Sequence, residues 1–246
     1  MSTKIVQITD IHLLAPGEKL MGLDVNDRLQ KVLEHATRFE PDAYFLTGDF
    51  CARAPEQETY HRLRPVLDAL GKPYYLIPGN HDDRAMMRNA FFLEGHGQDA
   101  VKGLVRVKEK DFLFLDSSTG SVDEEQINWL AKALKQYPEA DIVMHHPPIP
   151  MGVRFMDERY PLQDTDQLLR VLTYDGRQRR VFCGHYHSSR TVAYRNLHVH
   201  QCPPTSFFID CIDPDFKQIK LPPAYLQLEW TDWEFRAAAV YVPYPK

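Results

Sequence analysis

Five times along the chain a short apolar run of strand length stops at residues that can bind an ion: KIVQIT before Asp10, AYFLT before Gly48-Asp49, PYYLIP before Gly79-Asn80, DIVM before His145 and RRVFC before Gly184-His185. A run that is apolar throughout, and not only at every second position, must be covered on both faces, so it belongs inside a sheet flanked by other layers. Between these runs lie patterns with apolar residues at helical spacing: Val25 to Phe39 (Val25, Leu29, Val32, Leu33, Ala36), Glu56 to Leu70, Asp123 to Gln136 and Asp164 to Thr173. Strands alternating with helices predict an α/β sandwich. Pro65 falls inside the second helical pattern and predicts a kink there, or a helix that starts at the proline.

After Gly184 the pattern changes to short β-like stretches, TVAYR, LHVHQC, SFFID, YLQLEW and AAAVYV, broken by Pro203-Pro204, Pro214 and Pro222-Pro223. With no long linker before it, this segment reads as antiparallel strands added to one domain over residues 1–246. The core covers about 1–200 and a β-rich extension about 201–246. SFFID and AAAVYV either extend the core or meet a second copy, which leaves a homo-oligomer open. The chain has 246 residues, 43% hydrophobic and 26% charged, enough for one substantial soluble core. No apolar run approaches a bilayer span and the start, MSTKIVQITDIH, lacks the apolar stretch of a signal peptide, so no membrane partner and a cytoplasmic location are expected. Lys+Arg 29 against Asp+Glu 34 gives a net charge of -5, and with no basic run a duplex nucleic acid is not an expected partner. The four cysteines show no CxxC spacing and read as free thiols.

The polar strand ends carry the chemistry. In an open α/β sheet, ligands bind in the crevice at the carboxyl ends of the strands. Asp10 and His12 are two apart, so on an extended chain a carboxylate and an imidazole face the same way. Gly48 permits a sharp turn that projects Asp49 over the sheet edge. Asn80 offers a neutral carbonyl oxygen, and His81 can donate a proton or bind an anion. His145-His146 are stiffened by Pro147-Pro148, and His185 and His187 repeat the spacing of the first cluster. Each cluster alone also reads as a turn, a helix cap or a satisfied core histidine. Five such readings on five successive strand ends are far less economical than one site. Carboxylate, amide and imidazole donors without thiolate suit divalent ions of the Mn, Fe, Co or Zn kind better than Ca or a structural zinc.

The order D-x-H, G-D, G-N-H-D, H-H-P-P, G-H-x-H, carried by VQITDIHL, TGDF, PGNHDD, MHHPPIP and FCGHYH, resembles the calcineurin-like metallophosphoesterase superfamily. Within it the pattern is similar to the class III cyclic nucleotide phosphodiesterases and their glycerophosphodiesterase relatives. The resemblance implies a four-layer αββα sandwich and two metals, one held by Asp10, His12 and His187, the other by Asn80, His145 and His185, with Asp49 bridging. It gives His81 the role of an outer-sphere acid or phosphate-stabilising group and leaves His146 outside the shell, as a neighbour. The reaction it implies is hydrolysis of a small phosphodiester by a hydroxide between the metals, with a 3',5'-cyclic nucleotide such as cyclic AMP ranked before a glycerophosphodiester. A nuclease and a non-catalytic scaffold of the same fold are the rival readings. The stretch Met151 to Gln163, with Arg154, Phe155, Met156 and Arg159, together with Phe50 to Arg53 and Tyr186, is placed to cover the site, and its aromatics either stack on a base or simply pack.

Overall fold

The apolar runs become interior strands of two sheets. The computed structural model describes residues 2–244; Met1, Pro245 and Lys246, which belong to the single-domain span 1–246, lie outside the described residues. The elements are β1 (Thr3–Ile8), α1 (Val25–Ala36) with a 3-10 turn at Thr37–Phe39, β2 (Ala43–Thr47), α2 (Gln57–Asp68), β3 (Tyr74–Ile77), α3 (Arg84–Phe91), β4 (Gly103–Val107), β5 (Lys110–Phe114), α4 (Glu124–Gln136) and β6 (Asp141–Val143). They continue with α5 (Arg154–Arg159), α6 (Thr165–Thr173), β7 (Arg179–Cys183), β8 (Arg190–Tyr194), β9 (Leu197–Gln201), β10 (Phe208–Ile209), β11 (Gln218–Ile219), β12 (Ala224–Trp230) and β13 (Phe235–Tyr241). One sheet runs β13-β12-β1-β2-β3 and the other β4-β5-β6-β7-β9-β8; β10 and β11 form a separate hairpin.

Alternation of side chains along each strand builds three apolar layers. Between the sheets, Ile5, Phe45 and Ile77 meet Phe112, Phe114, Val143 and Phe182. Phe45 lies edge-on to both Phe112 and Phe114, at 4.9 and 5.0 Å between ring centroids. The opposite face of the first sheet (Val6, Ile8, Tyr44, Leu46) is covered by Leu29, Val32 and Leu33 of α1, Leu63 and Leu67 of α2 and Met87 of α3. The outer face of the second sheet (Ile142, Val181, Val199) is covered by Ile127 and Leu130 of α4, Met156 of α5 and Leu168 and Leu172 of α6. This is the expected helix-sheet-sheet-helix order. Aspartates start three of the helices: Asp24, Asp83 and Asp123 accept from the main-chain N–H three residues on.

Three expectations need correction. The second helix neither starts at Pro65 nor stops there; it begins at Gln57 and continues to Asp68, with Ala69 N still donating to Pro65 O. Buried Tyr60, Leu63 and Leu67 anchor it on both sides of the proline. Pro65 is exposed, so Pro65→Ala restores an N–H in the helix interior and should stabilise the fold by about 1–3 kcal/mol, read as a higher urea midpoint at unchanged slope. A lower midpoint would contradict this account. Second, β9 is not an antiparallel addition: it pairs parallel to β7, while β8 pairs antiparallel to it on the outer edge. The largely buried β9, LHVHQ, takes the interior place and the more exposed RTVAY takes the edge. Third, the Met151 to Gln163 stretch contains the short helix α5.

The carboxyl-terminal stretch supplies β12, which sits between β1 and β13 in the first sheet. Phe208 and Ile209 of SFFID are buried, whereas Ala237, Ala238 and Tyr241 of AAAVYV are exposed on the edge strand. No helix among the described residues is long and apolar enough to cross a membrane. Deep between the sheets, Gln7 Nε2 donates to Thr47 Oγ1 at 3.0 Å and to Cys183 O at 3.2 Å. That side chain binds the ends of β1, β2 and β7 together, which sets the distance between the residues that follow each of them.

Candidate metal centre

Just past these strand ends the chain leaves the β region. Asp10, His12, Asp49, His185 and His187 all have positive φ, between 46° and 70°. For residues other than glycine this conformation costs energy and persists only where surrounding structure fixes it; its concentration here marks a functional site. The glycines beside them are required by close approach. A Cβ on Gly79 would lie 2.2 Å from Asp49 Oδ1, one on Gly48 2.5 Å from His145 Nδ1, and one on Gly184 2.0 Å from Thr9 Oγ1. Gly79→Ala must therefore displace the Asp49 carboxylate. We expect its manganese affinity to fall about 10- to 100-fold by calorimetry, the size seen when a ligand loses its orientation; wild-type affinity would show that Asp49 moves aside freely.

Two groups of donors result. Asp10, His12, Asp49 and His187 form one, His145, His146 and His185 the other; within each, one potential ligand atom per residue lies within 4.8 Å of all the rest, and all seven residues are buried. Asp49 Oδ2 connects them, 3.6 Å from His12 Nε2 and 3.4 Å from His145 Nε2. His187 Nε2 is 3.5 Å from Asp10 Oδ1. His81 reaches the centre through its main chain, donating N–H to Asp49 Oδ1 at 2.9 Å, and its ring stands edge-on to His12 at 4.9 Å. Asn80 occupies the same turn between Gly79 and His81 and is exposed.

The imidazoles are oriented by main-chain carbonyls. His12 Nδ1 faces Cys51 O (3.2 Å), His145 Nδ1 faces Thr47 O (2.6 Å) and His187 Nδ1 faces Phe207 O (2.8 Å). A carbonyl only accepts, so each Nδ1 carries a proton and, in the neutral ring, each Nε2 presents a lone pair. His185 is turned the other way, with Nε2 on Tyr160 O at 3.0 Å. His12 Nε2 and His187 Nε2 stand 3.2 Å apart. Asp10 Oδ1 and His145 Nε2 are buried without a hydrogen-bond partner. Buried acceptors left unmet are costly, and a cation among them satisfies them at once, so this donor set fits metal ions.

Burial pushes the His12 and His185 imidazoles down to about 3 and drives His146 well below its usual value, with neighbouring histidines adding to the effect. At neutral pH these rings are uncharged, the form that binds metal. Burial would also depress His145, but the negative charge of Asp49, 3.4 Å from its Nε2, raises it to about 9, a proton with which a cation there competes. Burial lifts the Asp10 carboxyl. Asp49 experiences the same burial, yet His145, His12 and His81 together hold it well below the carboxylate range.

Two contributors were not assigned from sequence. His146, expected outside the shell, is buried in the second group with its ring 4.1 Å from His185, its Nδ1 2.9 Å from Ser117 Oγ. Its place beside His145 was visible, but not its partner. Asp82 accepts from Phe50 N (3.0 Å), Gly79 N (2.9 Å) and Tyr60 Oη (3.0 Å), tying the Asp49 turn to the Asn80 turn. Burial and the nearby Asp49 raise it to about 7. The helix that follows starts one residue later than Asp82, at the cap Asp83.

The family model for calcineurin-like phosphoesterases matches residues 3–189. A probable cyclic nucleotide phosphodiesterase of Fibrobacter succinogenes is 28% identical over 241 residues, 97% of this chain and 93% of the relative. A 3',5'-cyclic adenosine monophosphate phosphodiesterase of Pseudomonas aeruginosa is 29% identical, covering 89% and 86%. A glycerophosphodiester phosphodiesterase of Enterobacter lignolyticus is 32% identical, covering 82% and 77%. Among solved structures, a dimetal phosphatase from Danio rerio superposes with a TM-score of 0.71 at 12% identity, covering 98% of this chain and 99% of that one, a likeness of fold.

Proposed function

This chain belongs to the calcineurin-like phosphoesterase family, and from that premise we propose that it hydrolyses a small phosphodiester, first of all a 3',5'-cyclic nucleotide such as cyclic AMP, with two divalent cations. Asp10, His12 and His187 would hold one cation, Asn80, His145 and His185 the other, and Asp49 both. The observation that carries this reading is the position of Asp49 Oδ2, which faces one imidazole of each donor group at 3.6 and 3.4 Å.

When bound, two such ions supply Lewis acidity toward the phosphoryl oxygens and toward water. The protein's own groups do the rest. The carbonyls of Thr47, Cys51, Tyr160 and Phe207 hold the four imidazoles, so little reorganises as charge develops. Asp10 and Asp49 offset part of the metal charge; with one hydroxide counted, about one positive charge remains to meet a phosphodiester monoanion. A net charge of -5 on the chain is no obstacle, because the field in the basin is local. His81, partly exposed beside the centre, would protonate or stabilise the departing alkoxide. Two relatives whose names give cyclic nucleotides as substrate support the order of substrates. The glycerophosphodiester reading stays second because of the 32% identical relative.

The test is a panel of cyclic AMP, glycerophosphocholine and an aryl phosphodiester, run on apo-protein reconstituted separately with Mn, Fe, Co and Zn. The expected result is two bound ions per chain and the highest kcat/KM on cyclic AMP. Dominance of glycerophosphocholine would reverse the order. A folded protein that binds no metal and turns over nothing would favour a scaffold.

A further inference from the structure

A rim of aromatic side chains in contact with one another links the two donor groups, its last step a main-chain hydrogen bond. It begins at His187, on which Phe207 stacks at 4.0 Å and 26°. Phe207 meets Phe216 at 6.2 Å, Phe216 meets Phe155 at 5.9 Å, and Phe155 meets Tyr160 at 5.6 Å. It ends at His185, whose Nε2 donates to the Tyr160 carbonyl. The rim thus starts on a histidine of one donor group and ends on a histidine of the other.

Its two supports are fixed to each other. Phe155 and Tyr160 come from α5 and its carboxyl end, while Phe207 and Phe216 flank and cap the β10–β11 hairpin; Arg154 N of α5 donates to Cys211 O of the hairpin at 3.0 Å. Asp157 braces the approach to α5 by accepting from Met151, Gly152 and Val153 N. Several of the nearby charges are paired with one another, Lys217 with Asp210 and Asp213, and Arg154 with Glu158. What the rim offers is therefore ring surface, and the hydrophobic effect has not hidden it: Phe216 is 46% and Tyr160 54% exposed.

We propose that this rim is the specificity surface of the site, where the nucleobase of the substrate stacks while its phosphate sits at the metal centre. The proposal rests on the phosphodiesterase reading and deepens it. Because Phe207 lies directly on His187, the organic substituent of an ester whose phosphate sat at the centre would be within reach of the rings. Aromatic rings prefer a flat π partner, in stacked or edge-on contact, to a flexible glycerol or choline. A base–aromatic stack is worth about 5- to 100-fold in affinity.

The test uses the manganese-loaded full chain and isothermal calorimetry with adenosine 5'-monophosphate and ribose 5-phosphate, which share the phosphate and differ in the base. The wild type should bind the nucleotide about tenfold tighter. In Phe216→Ala that gap should close to about twofold, and KM for cyclic AMP should rise about tenfold with little change in kcat; Phe216→Trp should restore both. Equal wild-type affinities for the two ligands, in a protein that turns over a diester, would overturn the proposal and leave the phosphodiesterase reading standing. A gap that survives in both Phe216→Ala and Tyr160→Ala would overturn it as well. If neither ligand binds and no diester is hydrolysed, the phosphodiesterase reading itself is gone.

Discussion

Asp49→Ala is expected to lower bound manganese from two ions per chain to one or none, and kcat/KM on the preferred diester by about 10³-fold or more, in a protein that still folds. Asp49 Oδ2 faces an imidazole of each donor group, 3.6 Å from His12 Nε2 and 3.4 Å from His145 Nε2, so its removal should weaken both sites together. Deleting one member of a buried charge pair costs about 3–5 kcal/mol, which at about 1.4 kcal/mol per decade is about 10²- to 10⁴-fold in metal affinity. Its other oxygen accepts the His81 N–H, so the substitution also frees that turn. The fold should survive because the three apolar layers pack without Asp49. Metal analysis and far-ultraviolet circular dichroism of the purified variant, beside an activity assay, decide the matter. Two tightly held ions in Asp49→Ala would remove Asp49 from its bridging position. Asp49→Asn, which keeps an acceptor for His81 but no charge, should fall between the two.

The apolar runs were legible because they are covered on both faces: KIVQIT, AYFLT and RRVFC have to lie in sheets, and β1, β2 and β7 form within them. Asp10, His12, Asp49, His145, His185 and His187 were legible for a related reason, since a charged or imidazole side chain immediately after a buried strand stands at the sheet edge. What could not be read is the part supplied by the main chain. The carbonyls of Thr47, Cys51, Tyr160 and Phe207 choose the nitrogen that each of four histidines presents to the centre, and a carbonyl has no residue type. The parallel pairing of β9 with β7 was hidden likewise, because a hairpin sequence states that two strands are adjacent but not which of them takes the interior edge. Helix α3 lacked a signal of its own: RAMMRNAF is short and flanked by turn residues, and it is held by the Asp83 cap and by Met87 and Phe91 packing on the first sheet's outer layer. The aromatic rim unites residues 155, 160, 207 and 216, two pairs separated in sequence by one helix and three strands, so only the fold brings them together.

His81→Ala should produce a different failure from Asp49→Ala: two ions retained, and kcat on cyclic AMP reduced about 10²- to 10⁴-fold, the usual contribution of a positioned general acid. The reason is that His81 touches the donor groups through its main-chain N–H, which donates to Asp49 Oδ1 at 2.9 Å, and alanine keeps that bond. Only the ring is lost, edge-on to His12 at 4.9 Å in a residue that is partly exposed. The identity of the leaving alcohol then separates the two roles available to it. Expulsion of the ribose 3'-alkoxide of cyclic AMP needs a proton, whereas a nitrophenolate departs without one. If His81 is the acid, the loss in His81→Ala should shrink by at least about tenfold on a bis(nitrophenyl) phosphate. An equal loss on both substrates would assign the ring to stabilising the phosphate, and full activity on cyclic AMP with two ions bound would leave it no part in the reaction.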